Sequence, residues 1–253
     1  MTVAAVVFDW GGTLTPWHDL DLLDLWLAAA RLLAPERADE LAAALVEAER
    51  EWWVEAVRSG RSGTIEDVVA AATASTGLQV DRALHGGALA AHFEAFTPHT
   101  YTDPQAAPLL RALADRGIKT GLLSNTHWPR DWHERILERD GVADLIDARV
   151  YTSELAHVKP HPEAFAAVLA ELAIVDPATA VFVGDRPHDD IAGAKGVGMR
   201  AVLVPNSSVP AYDVEPDATI TALSELLPLV DAWAADGPNG MSDPPGDGNS
   251  AAS

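Results

Sequence analysis

The 253-residue chain contains no cysteine, which excludes a disulfide framework and any metal site built on thiolates. Basic residues are also scarce, because 17 lysines and arginines stand against 38 acids and leave a net charge of −21. Such a chain repels nucleic acid and anionic lipid, so we expect neither as a partner. An anionic substrate would need local help from a metal ion or a well-placed cation.

Long hydrophobic runs are missing as well. No apolar stretch approaches the roughly 20 residues that a membrane helix needs, and the first residues resemble a core strand rather than a signal peptide. The absence of thiols suits a reducing compartment, so we expect a cytoplasmic protein with no membrane partner. Because 48% of the residues are apolar, the chain can bury a core of one large domain or two smaller ones.

The segment 4–15, AAVVFDWGGTLT, carries the clearest structural signal in the sequence. Its apolar run is typical of a strand buried on both faces of a parallel sheet, and the acid, two glycines and threonine that follow predict a sharp turn. Asp9 would then lie at the carboxyl end of a central strand, where open α/β sheets bind ligands. The alternative is that Asp9 only caps the turn.

The rest of the chain divides into three parts. Residues 16–98 predict an all-helical insert of four helices, because leucines and tryptophans recur there at helical spacing. Residues 99–235 alternate helix and strand, which together with residues 1–15 predicts an α/β core with a doubly wound parallel sheet. Residues 236–253 have almost no apolar side chains to bury, so we expect a disordered tail.

Four polar clusters each follow a strand or open a helix, and the carboxyl ends of parallel strands share one edge. They are Asp9 to Thr13, Ser124-Asn125-Thr126, Lys159-Pro160, and Gly184 to Asp190. Asp9, Asp185 and Asp190 offer the oxygen ligands that Mg²⁺ prefers, and a carboxylate can also attack phosphorus. Ser124 can donate a hydrogen bond to a phosphoryl oxygen, while Lys159 adds positive charge. The clusters therefore indicate phosphoryl transfer.

These segments resemble the four motifs of the haloacid dehalogenase (HAD) superfamily. The motifs are FDWGGTL at 8–14, LSN at 123–125, KPHP at 159–162 and VGDRPHDDIAGA at 183–194. The match runs from the first strand to about Val204, and the helical insert lies where many members carry a cap. The resemblance implies a Rossmann-like core with an inserted helical cap, and a hydrolase activity.

The resemblance also implies the catalytic roles. Asp9 would be the nucleophile, Thr13 and Ser124 would hold the transferring group, and Lys159 would neutralise its charge. Ser124, Asn125 and Lys159 would bind the substrate. Trp17, which follows the first motif, is the best placed of the cap tryptophans to contact it.

For the cofactor, the resemblance implies Mg²⁺ held by Asp9, by the backbone carbonyl of Gly11 and by Asp185. Asp189 or Asp190 would support this metal site. An alternative interpretation of Asp189 is that it only caps the following helix.

One departure from the family pattern matters greatly, and it lies at Gly11. Phosphatases of this superfamily place a second aspartate there as general acid and base, and losing a general acid typically costs about 10²–10⁴-fold in rate. His127, His188 or His18 is a possible substitute. A phosphonatase also resembles this chain at the first motif, but it needs a cap lysine, and residues 16–118 contain none.

We therefore expect a Mg²⁺-dependent hydrolase that cleaves a phosphate ester of a small metabolite through an aspartyl-phosphate. One alternative is a metal-independent 2-haloacid dehalogenase, which the fourth motif disfavours because that motif is typical of metal-dependent members. The other is a ligand-binding protein that has lost turnover. The sequence predicts neither the substrate nor the oligomeric state.

Overall fold

The computed structural model describes residues 3–235. The predicted disordered tail, residues 236–253, lies outside the described residues. Within them, none of the helices combines the length and the hydrophobicity that crossing a membrane requires.

A parallel sheet of six strands forms the centre of the structure. In chain order the strands are β1 (Ala5–Phe8), β2 (Lys119–Ser124), β3 (Ala148–Tyr151), β4 (Ala180–Gly184), β5 (Arg200–Leu203) and β6 (Ala218–Thr219). Their order across the sheet is β3-β2-β1-β4-β5-β6, so β1 is central as predicted. Phe8 lies in register with Leu122 of β2 and Val183 of β4, which brings the ends of these three strands to one edge.

Nine α-helices lie among the described residues. They are α1 (Leu22–Leu33), α2 (Ala38–Ser59), α3 (Ile65–Thr76), α4 (Arg82–Phe96), α5 (Ala106–Ala114), α6 (Arg130–Arg139), α7 (Pro162–Glu171), α8 (Gly193–Gly196) and α9 (Leu226–Ala235). Short 3₁₀ turns occupy Pro35–Arg37, Thr97–His99, Ala143–Leu145, Thr152–Glu154, Pro177–Thr179 and Leu223–Glu225. A π-helical turn spans Pro187–Ala192.

The sheet is buried on both faces. Val6 and Phe8 of β1 pack in one core cluster with side chains of α5 and α9, whereas Ala5 and Val7 pack in a second cluster with side chains of α7 and α8. Successive strand residues point to opposite faces, so a strand covered on both sides must be apolar throughout. The doubly wound α/β architecture expected from the sequence is confirmed.

The four helices predicted for the insert are α1 to α4, and they form a core of their own. Trp26, Leu45, Ile65 and Phe93 pack together, and Trp132 of α6 joins the same cluster from the α/β part. Thr64 and Asp67 form a capping box at the start of α3. The domain boundaries at residues 15/16 and 98/99 remain predictions.

Two elements differ from the expected pattern. Within the alternating part of the chain, the pattern of residues 188–197 predicts an α-helix, but the segment begins as the π-helical turn, in which the N–H groups of both Asp190 and Ile191 bond to the carbonyl of Arg186. The hydrophobic pattern of the sequence also did not predict β6, because a strand of two residues is too short to show an alternation of apolar and polar side chains. This strand pairs with Val202 and Leu203 of β5.

We predict that Leu45→Ala destabilises the helical insert, because Leu45 is completely buried in its core. The free energy of unfolding should fall by about 2–5 kcal/mol in urea denaturation. Leu23→Ala is the matched control, since Leu23 lies on α1 with 44% of its surface exposed, and its effect should stay within about 0.5 kcal/mol. Equal losses in the two variants would contradict the packing described here.

Candidate active site

The site forms where β1, β2 and β4 end together. Asp9 follows β1 directly, and its backbone N–H bonds to the carbonyl of Val183 at 2.9 Å. Ser124 is the last residue of β2, and Asp185 follows β4. All three side chains are buried. Because the three strands are paired in register, their ends lie side by side and bring these residues together.

Lys159 joins two acids of this cluster. Its Nζ lies 2.7 Å from Oδ1 of Asp9 and 2.7 Å from Oδ1 of Asp190, and the lysine side chain is buried. Although burial lowers the pKa of Lys159, the two carboxylates outweigh it and raise that pKa above its usual value. Lys159 therefore stays protonated and neutralises part of the acidic charge.

Asn125 positions Lys159 through the backbone. Its side-chain Oδ1 accepts the N–H of Lys159 at 2.8 Å, and its Nδ2 donates to the carbonyl of Lys159 at 3.1 Å. This reciprocal pair links the end of β2 to the lysine segment. The predicted contact of Asn125 with substrate remains a prediction.

Asp190, rather than Asp189, lies with the other carboxylates. Oxygen atoms of Asp9, Asp185 and Asp190 all lie within 4.8 Å of one another. Asp190 is completely buried and its Oδ2 accepts the N–H of Arg186 at 2.9 Å, whereas Oδ1 of Asp189 lies 2.8 Å from Nδ1 of His188. Of the two acids proposed from the sequence, the geometry places only Asp190 in this group.

The three carboxylates fit a divalent cation. Oδ1 of Asp185 is buried and has no hydrogen-bond partner among the described residues, while its Oδ2 accepts from Nδ2 of Asn206 at 2.8 Å. Burial raises the pKa of Asp9 to about 7 despite the opposing effect of Lys159, and burial together with Asp190 raises the pKa of Asp185 to about 6. Three acids facing one lysine leave an excess of negative charge that a cation with oxygen ligands would neutralise.

Gly12 allows the first motif to approach this cluster. Its φ is +83°, and a Cβ placed there would lie 2.2 Å from Oδ2 of Asp185. Gly11 is different, because it lies outside the positive-φ conformation and a Cβ there would meet no atom within 4 Å. Gly11 lines the same cavity as Asp9, and the role of its carbonyl as a metal ligand remains a prediction.

Thr13 and Ser124 were expected to hold the transferring group. The hydroxyl of Thr13 is buried and lacks a hydrogen-bond partner within the described part of the chain, and Ser124 lines the cavity beside Asp9. Thr13 itself is not among the residues that line the cavity, and the contact of both residues with substrate remains a prediction.

A cavity of about 550 Å³ opens next to Asp9. Its lining combines residues of the α/β core with residues of the helical insert, and it contains the aromatic side chains of Trp10, Trp17, Trp53, Phe96 and Trp128. Trp17 is 43% exposed, and its Nε1 donates to Oδ1 of Asp19 at 3.2 Å. The structure thus places Trp17 at the cavity, as expected from its position after the first motif.

Two of the three histidines considered as substitutes for the missing acid line this cavity. They are His18 and His127, whereas His188 lies outside the lining and contacts Asp189. His127 is buried, and burial lowers its pKa to about 3, with smaller contributions from His92 and His133. The replacement of the missing acid by one of these histidines remains a prediction.

The sequence reasoning missed Glu49. This residue is buried on α2, its Oε2 accepts the indole N–H of Trp26 at 2.6 Å, and its Oε1 lies 3.4 Å from Nε2 of His127. Burial raises the pKa of Glu49. A signal was present, since Glu49 continues the i, i+4 row of Leu41 and Leu45 on the apolar face of the helix.

The sequence reasoning also missed Asn206, which binds Asp185. A signal was present, because Asn206 lies three residues beyond the end of β5 and polar residues at the carboxyl ends of parallel strands often contribute to a site.

The fold and the site together define a doubly wound α/β protein with an acidic centre at the carboxyl edge of its parallel sheet. Residues 3–198 match the family model described as haloacid dehalogenase-like hydrolase. The chain therefore belongs to the haloacid dehalogenase-like hydrolase family, which confirms the resemblance noted in its motifs.

Several relatives are similar to this chain. Glyceraldehyde 3-phosphate phosphatase from Pyrococcus furiosus is 33% identical over 150 residues, which cover 57% of this chain and 60% of that protein. Ribulose-1,5-bisphosphate 5-phosphatase from Halopiger xanaduensis is 30% identical over 247 residues, covering 89% and 98%. The solved structure of 2-haloacid dehalogenase from Pseudomonas syringae pv. tomato DC3000 is 28% identical with a TM-score of 0.66, covering 92% of this chain and all of that one.

We predict that Gly12→Ala damages the site while Gly11→Ala does not. Alanine at position 12 meets both a left-handed backbone and the Asp185 side chain, whereas position 11 is open. The strained conformation alone should lower the free energy of unfolding by about 1–3 kcal/mol relative to Gly11→Ala. Thermal denaturation of the two variants provides the measurement, and similar melting temperatures would show that the loop tolerates a Cβ at position 12.

Proposed function

We propose that this protein hydrolyses phosphate monoesters in a Mg²⁺-dependent reaction that passes through a phosphorylated Asp9. The supporting observation is the cluster of Asp9, Asp185 and Asp190 around Lys159, because three converging carboxylates suit a metal-dependent site better than a metal-free one. Phosphatase names among the relatives point in the same direction.

In the first step an oxygen of Asp9 attacks phosphorus, the phosphorus–oxygen bond of the ester breaks, and the leaving alkoxide takes up a proton. Lys159 holds Oδ1 of Asp9 and so fixes the direction of the carboxylate. In the second step water attacks the phosphorus of the aspartyl-phosphate, which releases inorganic phosphate and restores Asp9. Thr13 and Ser124 would bind the phosphoryl oxygens.

Asp9, Asp185 and Asp190, with the carbonyl of Gly11, would hold the Mg²⁺. When bound, the cation supplies positive charge that keeps Asp9 ionised and offsets the charge of the phosphoryl group. The buried carboxylates also repel an anionic substrate, so this neutralisation is needed for binding as well as for reaction.

A 2-haloacid dehalogenase is the second candidate function. Two observations favour it: Gly11 occupies the position of the phosphatases' second acid, and a 2-haloacid dehalogenase shares the fold. A third candidate, a binding protein without turnover, rests on Gly11 alone. Phosphate and halide release distinguish all three.

We predict that Asp9→Asn abolishes phosphate release without unfolding the protein, because it removes the attacking charge and one metal ligand. Activity of the wild type should disappear with a chelator and return with Mg²⁺. Asp131→Asn, at an exposed position of α6, is the matched control and should keep wild-type activity. Chelator-resistant halide release from a haloacid would instead support the dehalogenase.

We predict that Gly11→Asp increases turnover, because the position is open and the new carboxyl can protonate the leaving group. The gain could approach ~10²-fold for alkyl phosphates and should be smaller for aryl phosphates, whose leaving groups need less protonation. Gly11→Asn is the matched control, since it has the same shape without the acid. If Gly11→Asp folds and binds Mg²⁺ but shows no gain on either ester, the result contradicts the proposed phosphatase reaction.

A further inference from the structure

The cavity beside Asp9 also carries information about the alcohol part of the substrate. This inference rests on the proposed function, in which the phosphoryl group lies against Asp9 and Lys159. The alcohol would then occupy the remaining volume, between the first motif and the helical insert. The side chains that line this volume define the chemistry it accepts.

Aromatic rings form part of the wall of that volume. Trp10 and Trp128 contribute from the α/β part, and Trp53 and Phe96 contribute from α2 and α4. The rings of Trp10 and Trp128 lie 6.1 Å apart, and those of Phe96 and Trp128 lie 4.9 Å apart, in both cases edge to face. Such walls favour a flat apolar or aromatic group, because aromatic pairs gain stability in edge-to-face and offset stacked arrangements.

Buried polar groups interrupt the aromatic wall at one place. Glu49 and His127 both line the cavity, and Oε1 of Glu49 lies 3.4 Å from Nε2 of His127. Neither ring nitrogen of His127 has a hydrogen-bond partner among the described residues, and the same holds for the indole N–H of Trp10. Buried polar atoms without partners are costly, so a substrate that supplies a hydrogen bond here would gain affinity.

Positive charge is scarce around the alcohol part of the cavity. Among the described residues that line it, only Lys159 and Arg186 are lysine or arginine, and Lys159 is already bound to Asp9 and Asp190. Arg186 lies 3.8 Å from Asp189, and its guanidinium is 6.0 Å from the exposed ring of Trp17. Glu49 adds a buried carboxyl group to the same lining.

The arginines of the helical insert do not change this balance. Arg37, Arg50 and Arg58 are exposed and pair with the neighbouring acids Glu40, Glu47 and Glu55 on the outer surface. None of the three lines the cavity. Among the described residues of the insert, no lysine or arginine lines the cavity, so none is placed there to pair with a second phosphate or a carboxylate on the substrate.

We propose that the substrate is the phosphate monoester of an aromatic alcohol that carries no second anionic group and places a hydroxyl or similar hydrogen-bonding substituent against Glu49 and His127. Glu49 and His127 act as specificity residues for the alcohol. A second anion is rejected because it would lie near Glu49 without a cation to pair with it.

Three esters test the proposal: 4-(hydroxymethyl)benzyl phosphate, 4-carboxybenzyl phosphate and 2-phosphoglycolate. For the wild type we expect kcat/KM to be about 10²-fold higher for the hydroxymethyl ester than for the carboxy ester, since a buried like-charge contact is strongly unfavourable. Glu49→Gln should reduce this ratio to about tenfold or less. Glu51→Gln, an exposed change on the same helix, should keep the wild-type ratio.

Trp53→Leu is a second test variant. Trp53 is half-buried, and its replacement leaves the buried carboxyl group of Glu49 in place. It should lower kcat/KM about tenfold for the hydroxymethyl ester and by a smaller factor for 2-phosphoglycolate, because the aromatic wall contacts mainly the aromatic ring. Binding of the two matching benzylphosphonates, followed by quenching of tryptophan fluorescence, provides a readout that needs no turnover. The hydroxymethyl phosphonate should bind more tightly, and Glu49→Gln should reduce that preference.

The outcomes separate this proposal from the proposed function. If the wild type prefers 2-phosphoglycolate or the carboxy ester, the inference is overturned and the phosphatase remains. If no ester releases phosphate but the phosphonates bind with the expected preference, the phosphatase fails and the specificity of the pocket stands. If the glutamine changes at positions 49 and 51 have equal effects, Glu49 is not a specificity residue.

Discussion

The contact of the Lys159 ammonium with Asp9 and Asp190 is the constraint on which the rest of the site depends. Without it, three buried carboxylates would face one another with no described cation between them, and burial would favour their protonation. The lysine is itself held through its backbone by Asn125, at the end of the neighbouring strand. The end of β2 therefore holds, through Asn125, the lysine that neutralises the buried carboxylates.

The helical insert is joined to this same segment. The N–H of Val158 donates to the carbonyl of Gly60 at 2.9 Å, and the N–H of Ser62 donates to the carbonyl of Ala156 at 3.0 Å. The loop between α2 and α3 therefore binds the chain immediately before Lys159. Across the cavity, Glu49 of the insert lies beside His127 of the core. The walls of the pocket and its charged centre therefore belong to one connected structure.

Most of the fold could be predicted because its signals are local. Apolar runs marked the strands of the sheet down to β5, and the leucine and tryptophan spacing marked α1 to α4. The two misses have physical causes. β6 is only two residues long, and the π-helical turn at Pro187–Ala192 includes Asp190, whose side chain binds the N–H of Arg186 four residues earlier. Neither leaves a periodic pattern.

By itself the sequence determined the family, the parallel sheet, and the gathering of Asp9, Ser124, Lys159 and Asp185 at one edge, because each follows a strand end or belongs to a recognisable motif. The choice between Asp189 and Asp190 required the tertiary structure, since adjacent acids look alike until the turn directs one of them toward Lys159.

The pairing of Glu49 with His127 and the aromatic lining of the cavity were likewise decided only by the tertiary structure. They join side chains from distant segments, and no local pattern records which faces of two separate elements will meet. The residues of the acidic centre are therefore encoded in short motifs, while the lining of the cavity is decided by packing between distant segments.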